Sequence, residues 1–105
     1  MTRGDVYRVR LPKGSGREQR GARYAVIVQA DAMLGLSTAL VAPTSRSALA
    51  ASFRPEVEVG GESTCVMVEQ LRALDVRRLD EFAGRLSPEE MREVDEALSL
   101  VLSLS

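Results

Sequence analysis

The sequence predicts a mainly β domain: a small, strongly bent barrel of five or more antiparallel strands, followed by a single helix. Short apolar segments alternate with loops that contain Gly or Pro, which is the pattern of several short strands in one sheet. Only near the end of the chain, over residues 88–102, does the apolar period become helical. The 105 residues are 45% hydrophobic and contain no obvious linker, so we expect residues 1–105 to form one domain with one core.

Five segments are predicted to be strands, and residues 12–21 are predicted to be a loop. In the first strand, residues 4–11, apolar and polar residues alternate, so one face should be buried and the other exposed. The buried face would carry Tyr7, Val9 and Leu11, and the opposite face Val6, Arg8 and Arg10. The other strands are ARYAVIVQ from residue 22, LSTALVAPT from residue 36 with its end at Pro43, the edge strand RPEVEVGG from residue 54 closed by Gly60-Gly61, and TCVMVEQL from residue 64.

A helix is predicted over residues 88–102. Ser87, Pro88 and Glu90 form a capping box with proline at the first helical position, which is typical of a helix N-terminus. Apolar residues then recur at helical spacing and should pack as one stripe on the barrel. The stripe comprises Met91, Val94, Leu98, Val101 and Leu102. A shorter turn or helix is expected after Asp75, whose carboxylate can cap the free amides that follow it.

Charge is distributed unevenly along a chain whose net charge is only −1. Residues 1–23 hold seven basic and two acidic groups, whereas residues 79–105 hold two basic and seven acidic groups. This layout predicts an anionic ligand for the first part of the chain and a solvated acidic face on the last. Thirteen of the fourteen basic residues are arginine, whose planar fork suits phosphate, although a coding preference for arginine explains the count equally well.

Several classes of protein are excluded by what the chain lacks. No apolar run approaches the roughly 20 residues of a membrane span, and the charged N-terminus does not resemble a secretory signal, so we expect a cytoplasmic protein. The only cysteine, Cys65, lies in the apolar run TCVMV, and there is no histidine, which excludes disulfide and zinc frameworks. Cys65 is expected to be a buried strand residue rather than a nucleophile, and no metal or cofactor is expected.

Three polar segments each adjoin a predicted strand: residues 18–23, 43–47 and 69–75. Together with the opening RGDVYRV, the stretch VEQLRALDVRRL from residue 68 and the closing VDEAL, they resemble the MazF/PemK family of toxin endoribonucleases, which are sequence-selective messenger RNA interferases. The resemblance covers nearly the whole chain. It implies an SH3-like barrel with a C-terminal helix, a homodimer that cleaves single-stranded RNA without a metal, and inhibition by the cognate antitoxin of a type II toxin-antitoxin system.

The resemblance also assigns candidate site residues. Arg23 matches the family's catalytic arginine, and Thr44 matches its strand-end threonine or serine, whose hydroxyl can donate to the scissile phosphate. Glu18 matches a recurrent loop carboxylate that could accept a proton or anchor the loop by pairing with an arginine. Glu69 falls at a Glu-Gln or Asp-Gln position of the family, where it could orient Arg23, take a proton or cap a turn. The expected RNA contacts are Arg17, Arg20, Tyr24, Ser45, Arg46 and Gln70.

The chemistry of RNA cleavage fits these residue types. RNA carries its own nucleophile, the 2′-hydroxyl, so a protein needs only to position it, remove its proton and stabilise the charged intermediate. Because the chain has no histidine, the identity of the general base stays open. The chain departs from the commoner family pattern at Tyr24, which stands where proline usually follows the arginine, and its ring could stack on a base.

Two other functions stay open at this point. A non-enzymatic toxin similar to CcdB would bind gyrase through its C-terminal helix and would need neither Arg23 nor Thr44. A degenerate RNA-binding barrel would hold RNA without cleaving it. In the nuclease hypothesis, the acidic, apolar tail of an antitoxin is expected to occupy the basic groove and exclude RNA.

Overall fold

The computed structural model describes residues 1–10 and 22–104. The predicted loop, residues 12–21, lies outside the described part of the chain, and so do the predictions for Leu11, Arg17, Glu18 and Arg20. The strands are β1 (Asp5–Arg10), β2 (Ala22–Ile27), β3 (Thr38–Ser45), β4 (Glu56–Val59), β5 (Glu62–Val66), β6 (Arg72–Asp75) and β7 (Leu79–Arg85), and the helix is α1 (Pro88–Leu102). Short 3-10 turns span Asp31–Met33, Val68–Gln70 and Val76–Arg78.

The strands form one sheet that curls into a half-barrel. Neighbouring strands follow the order β4-β5-β3-β2-β1-β7, and β6 pairs with the first half of β3. Among the described residues, all of these strand pairs are antiparallel. The sheet and the C-terminal helix confirm the predicted fold class.

Apolar side chains pack on both faces of the sheet. The cluster beneath α1 includes Val26 and Val94, and a second cluster on the other face includes Ile27. In β1, Val9 joins the second cluster as predicted, but Val6 is buried in the first. The prediction that Val6 lies on an exposed face is therefore wrong, because α1 covers the face that strand alternation alone assigns to solvent.

Two strands, β6 and β7, are absent from the sequence prediction, and a third is shorter than predicted. The segment TCVMVEQL was expected to be one long strand, but β5 ends at Val66 and a 3-10 turn follows at Val68–Gln70. The segment RPEVEVGG does contain an edge strand, β4, and the pair Gly60-Gly61 makes the turn into β5. Both glycines have positive φ, +61° and +81°, as a two-residue hairpin turn requires.

The third strand continues past the proline where it was predicted to end. Pro43 is fully buried within β3, which runs to Ser45. The proline is tolerated because β3 changes its neighbour there: it pairs with β6 up to Val41 and with β5 from Thr44. The Pro43 carbonyl accepts from the Met67 amide at 2.8 Å, so it points to the edge of β3 that β5 and β6 share. The N–H that proline lacks would point to the same edge, at the gap between β6 and β5, where no strand needs it.

Helix α1 has the predicted bounds and the predicted cap. Ser87 Oγ accepts from the Glu90 amide at 3.1 Å, and the Glu90 carboxylate accepts from the Ser87 amide at 2.8 Å. The predicted apolar stripe is correct only as far as Leu98, since Val101 and Leu102 are exposed. Within the described residues, the apolar cluster beneath the helix has no member after Leu98, so the core does not extend under the last turn.

The predicted cap at Asp75 is also confirmed, because its carboxylate accepts from the Arg77 amide at 2.9 Å at the start of the turn Val76–Arg78. The Arg77 side chain donates to the same carboxylate at 2.8 Å. These two hydrogen bonds, the side-chain bond first, lower the pKa of Asp75 from its ordinary 3.8 to about 2. Since the folded pKa is the lower one, the contribution to stability is present above pH 3.8 and is lost as the pH falls towards 2.

We expect Arg77→Ala to raise the pKa of Asp75 towards its ordinary value, because the largest cause of the shift is removed. Carboxylate carbon resonances followed by NMR as the pH is lowered measure the change. Arg78→Ala is the matched control, since Arg78 acts on Asp75 only through its charge and is the last of the causes. Equal pKa changes in the two variants would contradict the proposed hydrogen-bond origin.

Candidate functional site

A cavity of about 590 Å³ opens where β2, β3 and the β4–β5 hairpin meet. It is lined by Arg23, Tyr24, Thr44, Ser45, Arg46, Ser47, Val59, Glu62 and Thr64. Five of these residues were singled out in the sequence as candidates, and they come from two segments some twenty positions apart. The cavity therefore brings the loop-end arginine and the strand-end hydroxyl into one site.

Strand pairing explains why these segments meet. Ala25 on β2 lies opposite Pro43 on β3, and the two strands are antiparallel, so Tyr24 and Thr44 are also neighbours. Thr44 Oγ1 accordingly donates to the Tyr24 carbonyl oxygen at 3.3 Å, a long hydrogen bond that a better acceptor could replace. Arg23 is the residue next to Tyr24 on the same strand, and its side chain is exposed at the cavity.

Arginine and hydroxyl side chains make up most of the cavity lining contributed by β2, β3 and the residues just after β3. Arg23 and Arg46 supply two guanidinium groups, and Arg46 forms an ion pair with Glu62 across the cavity mouth. Ser45 Oγ lies 3.2 Å from Ser47 Oγ, so these hydroxyls bond to each other in the free protein. Forked guanidinium donors beside hydroxyl donors are suited to the oxygens of a phosphate group.

The β4–β5 hairpin contributes residues that the sequence predictions missed. Its two-residue turn places Val59 opposite Glu62, and both side chains line the cavity. Thr64, two residues further, is buried, and its hydroxyl has no hydrogen-bond partner among the described residues. The pair Gly60-Gly61 was the available signal, because a two-residue hairpin fixes the register of the strands on either side of it.

A second cavity, of about 340 Å³, adjoins the first. The two cavities share Tyr24, Val59 and Glu62 as lining residues. On the far side the second cavity is lined by Arg8 and Phe82, among others. The side chains of Tyr24 and Phe82 are 43% and 55% exposed, so aromatic rings are accessible along the combined groove.

Glu69 and Gln70 lie elsewhere. Because β5 ends early, both residues fall in the 3-10 turn Val68–Gln70 and line neither cavity. The Glu69 carboxylate instead accepts from Arg54, at 2.8 Å from Nε and 2.7 Å from Nη2. The expectation that Glu69 acts on Arg23 therefore gains no support from the geometry, since the carboxylate pairs with Arg54 instead.

Cys65 is buried on β5, as predicted. Its thiol donates to the Ala48 carbonyl oxygen at 3.5 Å. Burial is the main cause that raises the pKa of the Cys65 thiol, and the nearby Glu56 carboxylate adds to it. A thiol in this environment is a poor nucleophile.

Two negative findings hold for residues 1–10 and 22–104. No three His, Cys, Asp or Glu side chains are grouped so that they could bind a metal ion. No helix in these ranges has both the length and the apolar character needed to cross a membrane.

The chain is similar to known toxins. Rv3098A of Mycobacterium tuberculosis, described as a candidate toxin, is 39% identical over 106 residues, which cover 99% of each chain. MazF (Form-I) of Deinococcus radiodurans has a TM-score of 0.86 at 24% identity, over 98% of this chain and 96% of that one. A mycobacterial endoribonuclease in complex with its cognate antitoxin has a TM-score of 0.84 at 20% identity, over 100% and 97% of the two chains.

At such identities, the likeness to these two structures establishes a shared fold. The family is established by sequence. The model of the family described as PemK-like, MazF-like toxin of type II toxin-antitoxin system matches residues 2–102. The chain therefore belongs to the PemK/MazF toxin family.

Proposed function

We propose that the protein is an endoribonuclease toxin that cleaves single-stranded RNA at the cavity between β2, β3 and the β4–β5 hairpin. The observation that carries the proposal is the presence of Arg23 and Thr44 in one cavity, beside a second arginine, Arg46. The family membership and the structural likeness to an endoribonuclease that is bound to its antitoxin support it. The antitoxin of this chain would place an acidic, apolar tail in the same groove.

The reaction requires no nucleophile from the protein. The ribose 2′-hydroxyl loses its proton to a base and its oxygen attacks the adjacent phosphorus. The bond to the 5′-oxygen breaks, that oxygen takes up a proton from an acid or from solvent, and the products are a 2′,3′-cyclic phosphate and a 5′-hydroxyl. Arg23 binds the non-bridging oxygens as their charge grows. Thr44 rotates its hydroxyl from the Tyr24 carbonyl to a phosphate oxygen, which costs little because the bond it gives up is long.

Proton transfer and further phosphate contacts involve residues outside the described part of the chain. Glu18 is proposed as either the proton acceptor or the anchor of its loop, and Arg17 and Arg20 as contacts to neighbouring phosphates. Glu69 is the weaker candidate for a base, since its carboxylate is held by Arg54. No step of this mechanism calls for a metal ion.

The groove suits a short single-stranded segment. Stacking of one base on an aromatic ring contributes about 1–3 kcal/mol, and the exposed ring of Tyr24 lies next to the phosphate cavity. With few aromatic residues available, we propose that only a few bases are recognised. The proposal includes a cytoplasmic homodimer, for which the exposed apolar residues at the end of α1 offer a contact surface; they are Leu100, Val101, Leu102 and Leu104.

The test is to incubate the purified protein with a pool of single-stranded RNAs in the presence of EDTA and to sequence the new ends. We expect cleavage, with 5′-hydroxyl ends that can be ligated only after phosphorylation and with cyclic phosphates on the upstream fragments. Binding of the pool without products would contradict the catalytic part of the proposal. Cleavage that occurs without EDTA but not with it would contradict the proposal that the reaction needs no metal ion.

A further inference from the structure

Glu62 is the one carboxylate among the described residues that lines both cavities of the groove. The other described carboxylate of the groove, Glu81, lines only the second cavity. A carboxylate repels the RNA backbone but can accept hydrogen bonds from the edge of a base. We infer that Glu62 selects the base next to the cleaved bond and that it favours guanine. This inference rests on the proposed nuclease function and adds a determinant of substrate specificity to it.

In the free protein Glu62 forms a solvent-exposed ion pair, which RNA can displace. Its partner is Arg46, and the two side chains are 58% and 68% exposed. An ion pair this exposed contributes little to stability, because water screens it. A phosphate in the first cavity offers Arg46 a bidentate acceptor, and the exchange releases the Glu62 carboxylate to a second ligand.

The surroundings of Glu62 suit a base rather than a phosphate. Tyr24 and Val59 border the same two cavities, so an exposed aromatic ring and an apolar side chain flank the carboxylate. A base stacked on Tyr24 would present its edge to Glu62 at the boundary between the cavities. The register with Val59 across the Gly60-Gly61 turn places the backbone of Glu62 at this boundary, from which its side chain lines both cavities.

The hydrogen-bonding pattern of the bases determines which of them fits. An ionised carboxylate accepts hydrogen bonds with both oxygens and donates none. Guanine presents two adjacent donors on its Watson–Crick edge, the N1 hydrogen and the N2 amino group. Adenine and cytosine each place an acceptor beside their amino group, and uracil flanks its single donor with two carbonyl oxygens. Only guanine can therefore pair with both oxygens of Glu62.

The test compares wild type, Glu62→Gln and Glu58→Gln on a randomised single-stranded RNA pool, with cleavage ends counted by sequencing. We expect wild type to favour guanine at one position beside the cut by about 5- to 150-fold, the discrimination typical of a bidentate contact. Glu62→Gln should lose this preference and accept adenine and cytosine as well, because the amide oxygen can accept from their amino group and the amide N–H can donate to the neighbouring ring nitrogen. Glu58→Gln removes the same charge from the adjacent strand but lines neither cavity, and it should cleave as wild type does.

Each other outcome counts against the inference. If Glu62→Gln keeps the base preference of wild type, whether its rate is unchanged, raised or lowered on all sequences alike, Glu62 does not read a base. If Glu62→Gln cleaves no sequence although thermal unfolding shows it to be folded, and Glu62→Ala does the same, Glu62 is needed for cleavage of every sequence and the inference is wrong. If wild type cleaves no RNA, the proposed nuclease function itself is wrong and the inference fails with it.

Discussion

Arg23→Ala is expected to lower the cleavage rate at saturating RNA by about 10²–10³-fold, the usual effect of removing one donor that stabilises charge in the transition state. The side chain is exposed at the mouth of the phosphate cavity, so the substitution should leave the free energy of unfolding nearly unchanged. Arg23→Lys should recover only part of the rate, because an ammonium group keeps the charge but lacks the planar fork. Single-turnover cleavage of a fluorogenic RNA measures both effects.

Arg92→Ala is the matched control for Arg23→Ala. Arg92 is an exposed arginine on α1 that lines neither cavity of the groove, so its loss should change the rate less than twofold if local rather than net charge matters. A growth-arrest assay then tests the gyrase-directed alternative. If Arg23→Ala still arrests growth while Glu96→Arg, on an exposed face of α1 outside the proposed dimer contact, does not, the toxin acts through protein binding and the nuclease proposal is wrong.

Asp5→Asn is expected to destabilise the fold by about 1.5–3 kcal/mol, the usual cost of a lost hydrogen bond to a buried charged group. The Asp5 carboxylate is only 3% exposed and accepts from the Thr2 amide at 2.9 Å and from Arg85 Nε at 2.7 Å. An asparagine amide keeps one acceptor oxygen and turns an N–H group towards the other donor. Urea unfolding followed by circular dichroism measures the change.

The pair between Arg3 and Asp95 provides the comparison. It has the same length, 2.7 Å, but Asp95 is 52% exposed. Asp95→Asn should therefore cost less than about 1 kcal/mol. If both substitutions lower the free energy of unfolding by the same amount, burial is not the reason that the hydrogen bonds of Asp5 stabilise the fold.

The parts of the fold that could be predicted are those encoded locally. The capping box at Ser87, the turn capped by Asp75 and the strand at the edge before Gly60-Gly61 all depend on residues within a few positions of each other. Strand β7 could not be recognised because most of its side chains are exposed and show no alternation. It exists through its pairing with β1, some 75 positions earlier in the chain, and that pairing contains two register shifts.

The same distinction applies to the site. Arg23 and Thr44 were identified through the family resemblance, and the structure brings them into one cavity. Glu62 was missed because its place in that cavity depends on the pairing of β5 with the end of β3, some twenty positions earlier in the chain. Glu69 was expected near the site because TCVMVEQL looks like one continuous strand, yet the chain leaves the sheet after Val66.

The buried proline in β3 restricts how the chain can be aligned during folding. A slip of β3 by one residue would move Pro43 away from the point where β6 gives way to β5 and would leave a neighbouring strand without the amide it needs. The same slip would send the side chains of Val41 and Thr44 to the wrong faces. A misaligned intermediate would therefore lose both a strand hydrogen bond and the burial of apolar side chains. Only one alignment of β3 avoids these losses, and it is the one that places the hydroxyls and the arginine after Pro43 at the cavity.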